Sequence, residues 1–456
     1  MIILPEIGEQ HPGDTRVLFA DAGTVLSRTV TAAGVRIASE SMASARSATI
    51  GVWAPVGSRD ETPELAGASH FLEHLLFKGT RKRTALDISA AIDEVGGELN
   101  AFTSKEYTCF YARVIDVDVP LAIDVLMDMA LSALIDPADV DSERDVILEE
   151  IAMHDDDPAD AVQQLFAAQV FADTPLADPV IGTTASISAM PADSIAAHYH
   201  QWYQPQTLVV TAAGGLDHTA VVAAVEQAVA AAQSDGASVT GQIAVADDVV
   251  CPRARRGSAL TFPTQTAQER RVFRDIEQVN IMMGYRGLPR LDPLRPAAAV
   301  FNAAVGGGMS SRLFQEVREA RGLAYSVQSF STSYSDAGSF GVYAGTMPER
   351  VDTTLEVIAD VLAEVRVHGL SPTEVTRGKG QIKGGLVLAM EESSTRMMTL
   401  GEAELVTGEY LPVSERLARI DAVTPGDLDE VAQRLCVGGR QLSIVGRTDD
   451  GSLSID

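Results

Sequence analysis

Strand-like runs rich in apolar residues lie at 17–20, 25–29, 35–39 and 48–54 and predict strands there. The rhythm turns helical over 67–77 and again over 85–95, where Leu86, Ile88, Ala91 and Ile92 share one face and Gly96-Gly97 supply a stop. Two more strands, 98–103 and 108–115, lead into long helices at 119–131, 137–155 and 159–171. Strands, a helix pair, a hairpin and further helices in that order suit an antiparallel or mixed sheet with helices on one face, not alternating βαβ units.

From 234 to 278 the periodicity weakens, with a Ser-Asp-Gly-Ala-Ser stretch and the basic run Arg253-Ala254-Arg255-Arg256. Beyond it a strand at 278–285, helices at 296–305 and 311–320, a hairpin at 324–334 and 337–345, and helices at 349–368 and 371–391 repeat the order of the first half. The offset is about 230 residues, with slight residue identity, so the chain reads as a duplication. The predicted layout is an N-terminal domain at 1–233, a linker with a leading strand at 234–277, and a C-terminal domain at 278–456. Gly306-Gly307-Gly308 is followed by no GK[ST], so it reads as a turn and not a phosphate loop.

A chain of 456 residues with 46% hydrophobic residues can form two cores. Its 35 basic and 63 acidic residues leave a formal charge of −28, which argues against nucleic-acid and anionic-membrane partners. Cys109, Cys251 and Cys436 are odd in number and lie far apart, so no disulfide framework is encoded and a reducing, cytoplasmic setting is expected. Glu6, Glu9 and Pro5 near the start fit neither a secretory signal nor a transit peptide.

Chemistry concentrates in His70-Phe71-Leu72-Glu73-His74. Residues four apart share a helical face, so both imidazoles can aim at one ion, in the inverted form of the HExxH zinc motif. A catalytic zinc needs a third protein ligand. In the acidic helix from Ser142 to Ile151, Glu143 and Glu150 are seven apart and face one way, while Glu149 points aside. His198 and His200 have no carboxylate pattern around them and carry little weight as a second metal site.

These residues resemble the pitrilysin or insulinase-like zinc metallopeptidases, in particular their mitochondrial-processing-peptidase branch. In that family HxxEH is followed at about this distance by a ligand Glu, preceded by a second Glu seven residues earlier; here 75 residues separate His74 from Glu150. Phe77-Lys78-Gly79-Thr80, Gly96-Gly97, Leu99-Asn100-Ala101-Phe102-Thr103-Ser104 and Glu143-Arg144 extend the likeness, most strongly over 48–185 and 302–346.

The resemblance implies an α+β fold of two homologous α/β-roll domains enclosing a peptide chamber, and an endopeptidase with one zinc per chain. His70, His74 and Glu150 would hold the metal, and Glu73 would take the proton of the attacking water. Glu143 would steady a ligand histidine, although a solvated helix face would also explain it. Arg318 and Tyr325 match the family's substrate-binding pair, the tyrosine hydroxyl being able to stabilise an oxyanion. Arg321 competes for the first role, and a buried strand tyrosine would equally explain the second. Leu99, Asn100, Ala101 and Phe102 match the edge strand on which peptides pair, with an ordinary hairpin strand as the alternative. Basic or amphipathic peptides, a homodimer and proteolytic processing follow from the same branch. A non-catalytic peptide-binding or core subunit is the competing outcome.

Overall fold

The computed structural model describes residues 2–3, 10–21, 23–234, 265–436 and 438–447. Cys251, the basic run at 253–256, most of the expected linker and residues 4–9 of the N-terminal start lie outside the described residues. The chain divides into two compact units, each drawing on both halves of the sequence. The first comprises Met1–Ile151, Asp178–Arg256 and Ala389–Leu411, and the second Ala152–Ala177, Gly257–Leu388 and Pro412–Asp456.

The first unit is built on strands β1 (Thr15–Asp21), β2 (Thr24–Val30), β3 (Arg36–Met42), β4 (Ser47–Ala54), β5 (Glu98–Thr103), β6 (Thr108–Ile115) and β7 (Val209–Gly214). They form one sheet in the order β1-β2-β3-β7-β4-β6-β5, antiparallel except for the β3–β7 pair. One face is roofed by helices α1 (Ala68–Leu75), α2 (Ala85–Asp93) and α3 (Val119–Ser132). Ile50, Val52, Phe110 and Ala112 pack there against Phe71, Leu72, Leu75, Ile123 and Leu126. At about 25 cal/mol per Å² of apolar surface removed from water, each large side chain so buried contributes about 2 kcal/mol.

On the other face Trp53 and Val209 meet Met397, Leu405 and Val406, carried by the helix Ser393–Glu402 and the turn that follows it. The Trp53 indole N–H donates to Thr211 Oγ1 at 2.8 Å. Gly401 is required at this contact, because a Cβ there would run into the Trp53 ring.

The second unit holds β8 (Gln268–Phe273), β9 (Val279–Arg286), β10 (Ala324–Ser333), β11 (Gly338–Thr346) and β12 (Gln441–Gly446), in the order β10-β11-β9-β12-β8. Only β12 and β8 run parallel. Helices Arg295–Gly306 and Val351–His368 cover one face through Phe301, Val305, Ile358 and Leu362. The other face is covered by α5 (Pro158–Val170), which follows the helix α4 (Pro137–Asp156) in the chain and packs its Val162 and Phe166 on Met282 and Val445. Phe166 meets Phe330 edge to face at 5.7 Å.

The helix expected at 311–320 is instead mostly a π-helical turn, Phe314–Glu319. The Ala320 N–H reaches back five residues to the Gln315 carbonyl at 2.8 Å. Among the described residues no helix is long and apolar enough to cross a membrane.

Candidate metal centre

Helix α1 is eight residues long and splits cleanly by face. Ala68, Phe71, Leu72 and Leu75 are buried in the core, which leaves His70, Glu73 and His74 together on the half-buried side. The two imidazole rings stand 4.8 Å apart in an edge-to-face arrangement. Helix α4 buries Val140, Glu143, Ile147 and Ile151 as one stripe, and Glu150 flanks that stripe while Glu149 is exposed. Arg144 fastens α4 in place, donating to the carbonyls of Ile187 and, at 2.9 Å, Met190, with its guanidinium 5.6 Å over the Phe71 ring of α1.

Glu150 Oε2 lies 3.8 Å from His70 Nε2 and 3.5 Å from His74 Nε2. A ligand atom from each of the three residues falls within 4.8 Å of the others. Zinc bonds of about 2.0–2.1 Å in a tetrahedron set the donors about 3.3 Å apart, so the two Glu150 contacts fit the ion after closing by a few tenths of an ångström, while a separation at the 4.8 Å limit of the group would close by about 1.5 Å. Two imidazoles and one carboxylate are also the donor set of a zinc site that keeps a position open for substrate.

Glu143 is 5% exposed, which removes the solvated-face explanation. Its Oε2 takes the hydrogen of His74 Nδ1 at 3.0 Å, and its Oε1 meets the Lys78 ammonium. A carboxylate only accepts, so Nδ1 carries the hydrogen, which leaves Nε2 of a neutral His74 ring as the nitrogen that could bind a metal. Glu73 accepts from the Thr103 hydroxyl at 2.7 Å. Burial raises its carboxyl pKa above the ordinary value, the negative charge of Glu150 adding to that and the Thr103 bond and His74 opposing it.

Strand β5, with Leu99, Asn100, Ala101 and Phe102, is the outermost strand of its sheet, paired among the described residues to β6 alone. In the second unit the Arg318 guanidinium stacks 4.7 Å from the rings of both Phe314 and Tyr325. Tyr325 is 76% exposed and so is not a buried strand tyrosine, and Arg321 is engaged with Glu316. His198 and His200 sit on the helix Ala192–Trp202, two apart and so on different faces. His198 is buried near Ser69 Oγ at 3.3 Å, and burial lowers its pKa to about 4.

Sequence reasoning gave no individual role to Lys78, Thr103 or Arg144, although all three fall inside motifs that carry the resemblance. Their partners lie 30 or more residues away in sequence, where no local spacing signals them.

Comparison with known proteins accords with this geometry. The family described as "Insulinase (Peptidase family M16)" matches residues 36–184, and "Peptidase M16 inactive domain" matches 189–382. An uncharacterized zinc protease of Streptomyces coelicolor is 50% identical over 95% of this chain and 92% of its own length. A probable mitochondrial-processing peptidase subunit beta of Arabidopsis thaliana is 33% identical over 88% of this chain and 74% of its own. The crystal structure of a protease from Helicobacter pylori superposes with a TM-score of 0.82, covering 92% of this chain and 98% of that one; at 19% identity this shows the shared fold.

Proposed function

The chain belongs to the insulinase family of zinc-dependent peptidases, M16, and from that premise we propose that it is a processing-peptidase-like endopeptidase whose single zinc is held by His70, His74 and Glu150. The observation that carries the reading is the convergence of those three side chains beside the half-buried carboxylate of Glu73. Bound zinc supplies Lewis acidity toward a peptide carbonyl and acidifies a coordinated water.

The chain's own residues do the rest. Glu73, its affinity for protons raised by burial, takes the proton of the attacking water and returns it to the leaving amine. Thr103 fixes which carboxylate oxygen faces the reaction. Glu143, anchored by Lys78, holds the His74 ring in the tautomer that binds through Nε2. Arg318 and Tyr325, stacked together in the second unit, bind the substrate peptide. Extended peptide adds to the exposed side of β5 at Leu99, Asn100, Ala101 and Phe102 through main-chain hydrogen bonds. The acidic chain favours basic or amphipathic peptides, the processing-type branch points to a homodimer, and the scattered cysteines fit a reducing, cytoplasmic setting.

Elemental analysis of Glu150→Gln against Glu149→Gln tests the ligand assignment. The Glu150 change is expected to cut zinc occupancy at least tenfold and the Glu149 change to leave it intact; equal retention by both would refute the assignment.

A further inference from the structure

Helix α1 begins without a cap of its own. The N-cap position before it is Gly67, with φ 95° and no side chain to accept from the first turn, whose N–H groups have no partner within the helix. The acceptor arrives from outside. Glu61 Oε2 takes the Gly67 N–H at 2.7 Å, and Glu61 Oε1 takes the Ser69 N–H at 2.6 Å, so each carboxylate oxygen satisfies one donor. A negative charge at that position is also favoured by the helix dipole. Ser69 immediately precedes His70.

The turn that delivers this carboxylate is itself fastened. The Ser58 N–H donates to the Ser104 carbonyl at 3.2 Å and the Arg59 N–H to the Lys105 carbonyl at 3.0 Å. Arg59 Nη1 and Glu106 Oε1 form a buried ion pair at 2.6 Å, and Gly57 lies so close to 104–106 that no Cβ fits. Lys105, in turn, donates to the Asp178 carbonyl. Segment 104–106 directly follows Thr103, the residue bonded to Glu73. One frame therefore holds both the start of α1 and the carboxylate of the base.

We propose that Glu61 is a positioning residue for the metal centre, its carboxylate clamping the first turn of α1 so that His70 and His74 stay aimed at one ion. The inference rests on the assignment of those histidines as zinc ligands. A helix of two turns that bears both imidazoles has little of its own length to resist tilting, and ligand-orienting contacts of this kind carry 10–100-fold effects on metal affinity.

The test compares zinc transfer from the holoenzyme to excess chelator, and kcat and KM on a quenched-fluorescent basic peptide, at pH 8. That pH lies above the value of about 7 to which burial raises the Glu61 carboxyl, so the carboxylate is ionised. Thr84→Ala, which removes the N-cap of α2, a helix that carries none of the proposed ligands, serves as a control of comparable helix-capping loss.

Glu61→Ala is expected to release zinc about 10–100 times faster and to lower kcat with KM within about twofold. Glu61→Gln, which keeps one acceptor, should fall between it and the wild type and carries the test should the alanine variant not fold. Thr84→Ala should lose thermal stability yet release zinc at the wild-type rate. Wild-type zinc release from both Glu61 variants, or equally fast release from Thr84→Ala, would overturn the clamp. If His74→Ala held zinc as firmly as the wild type, the ligand assignment itself would fall, an outcome separate from the behaviour of the Glu61 variants.

Discussion

Two functional side chains on α1, Glu73 and His74, are each held by a partner, Thr103 and Glu143. Glu143 sets the tautomer of His74 and is itself buried against the Lys78 ammonium, so its removal strands one charge and frees one ring. Glu143→Ala is expected to weaken zinc binding about 10–100-fold, read by competition with a chromogenic chelator. Unchanged affinity would show that the bond to Nδ1 does not orient the ligand. A second consequence concerns Glu61, whose carboxyl is raised by burial from 4.5 to about 7. The folded protein keeps this proton up to about pH 7, whereas the unfolded chain releases it near 4.5. The stability it contributes is therefore complete below pH 4.5 and is lost as pH rises through 7. Such a shift corresponds to about 3 kcal/mol in total. Between pH 5 and pH 8 the wild type should thus lose about 2 kcal/mol relative to Glu61→Gln in urea unfolding, and a difference independent of pH would contradict burial as the cause.

Elements were legible in the sequence wherever one residue pattern admitted one structure. The seven residues from His70 to Leu76 place the apolar and chemical positions of α1 on opposite sides, and the heptad step from Glu143 to Glu150 puts both carboxylates along α4, so both elements could be read before any fold was known, while Glu150 as the proposed third ligand came from the family resemblance. The turn at 314–319 was not legible, since Leu313 and Val317 as apolar neighbours suit an α-helix and a π-turn alike. Nor could the second covering layers be foreseen. Trp53 packs on Met397 and Gly401, and Phe166 on Phe330, partners set by the folded topology with no local spacing to announce them. The same held for Thr103, Lys78 and Glu61. Gly401→Ala tests the packing on Trp53. Forcing a methyl group into that ring is expected to destabilise the protein by about 2–3 kcal/mol in chemical denaturation, and a neutral effect would mean the helix Ser393–Glu402 lies loosely on its sheet.

At the scale of the whole molecule, each unit closes its sheet with a helix from the other half of the sequence: α5 on the second sheet, Ser393–Glu402 on the first. The duplication is therefore interleaved, and truncation at the middle of the chain would strip a covering layer from both units. The net charge of −28 belongs to this scale too. If it selects substrate, matched Arg-rich and Asp-rich peptides should differ in kcat/KM at low salt, and the difference should shrink as ionic strength shortens the screening length to a few ångströms near 1 M. Equal rates at low salt would assign the charge to solubility alone.

The most direct test of the metal centre pairs zinc content with peptide hydrolysis in the wild type and in Glu73→Gln. The geometry predicts about one zinc per chain in both proteins, since Glu73 is not a ligand, and a fall in kcat of at least about 10²–10⁴-fold in the variant, since it lacks the base. Wild-type turnover by a zinc-loaded Glu73→Gln enzyme would contradict the account at its centre.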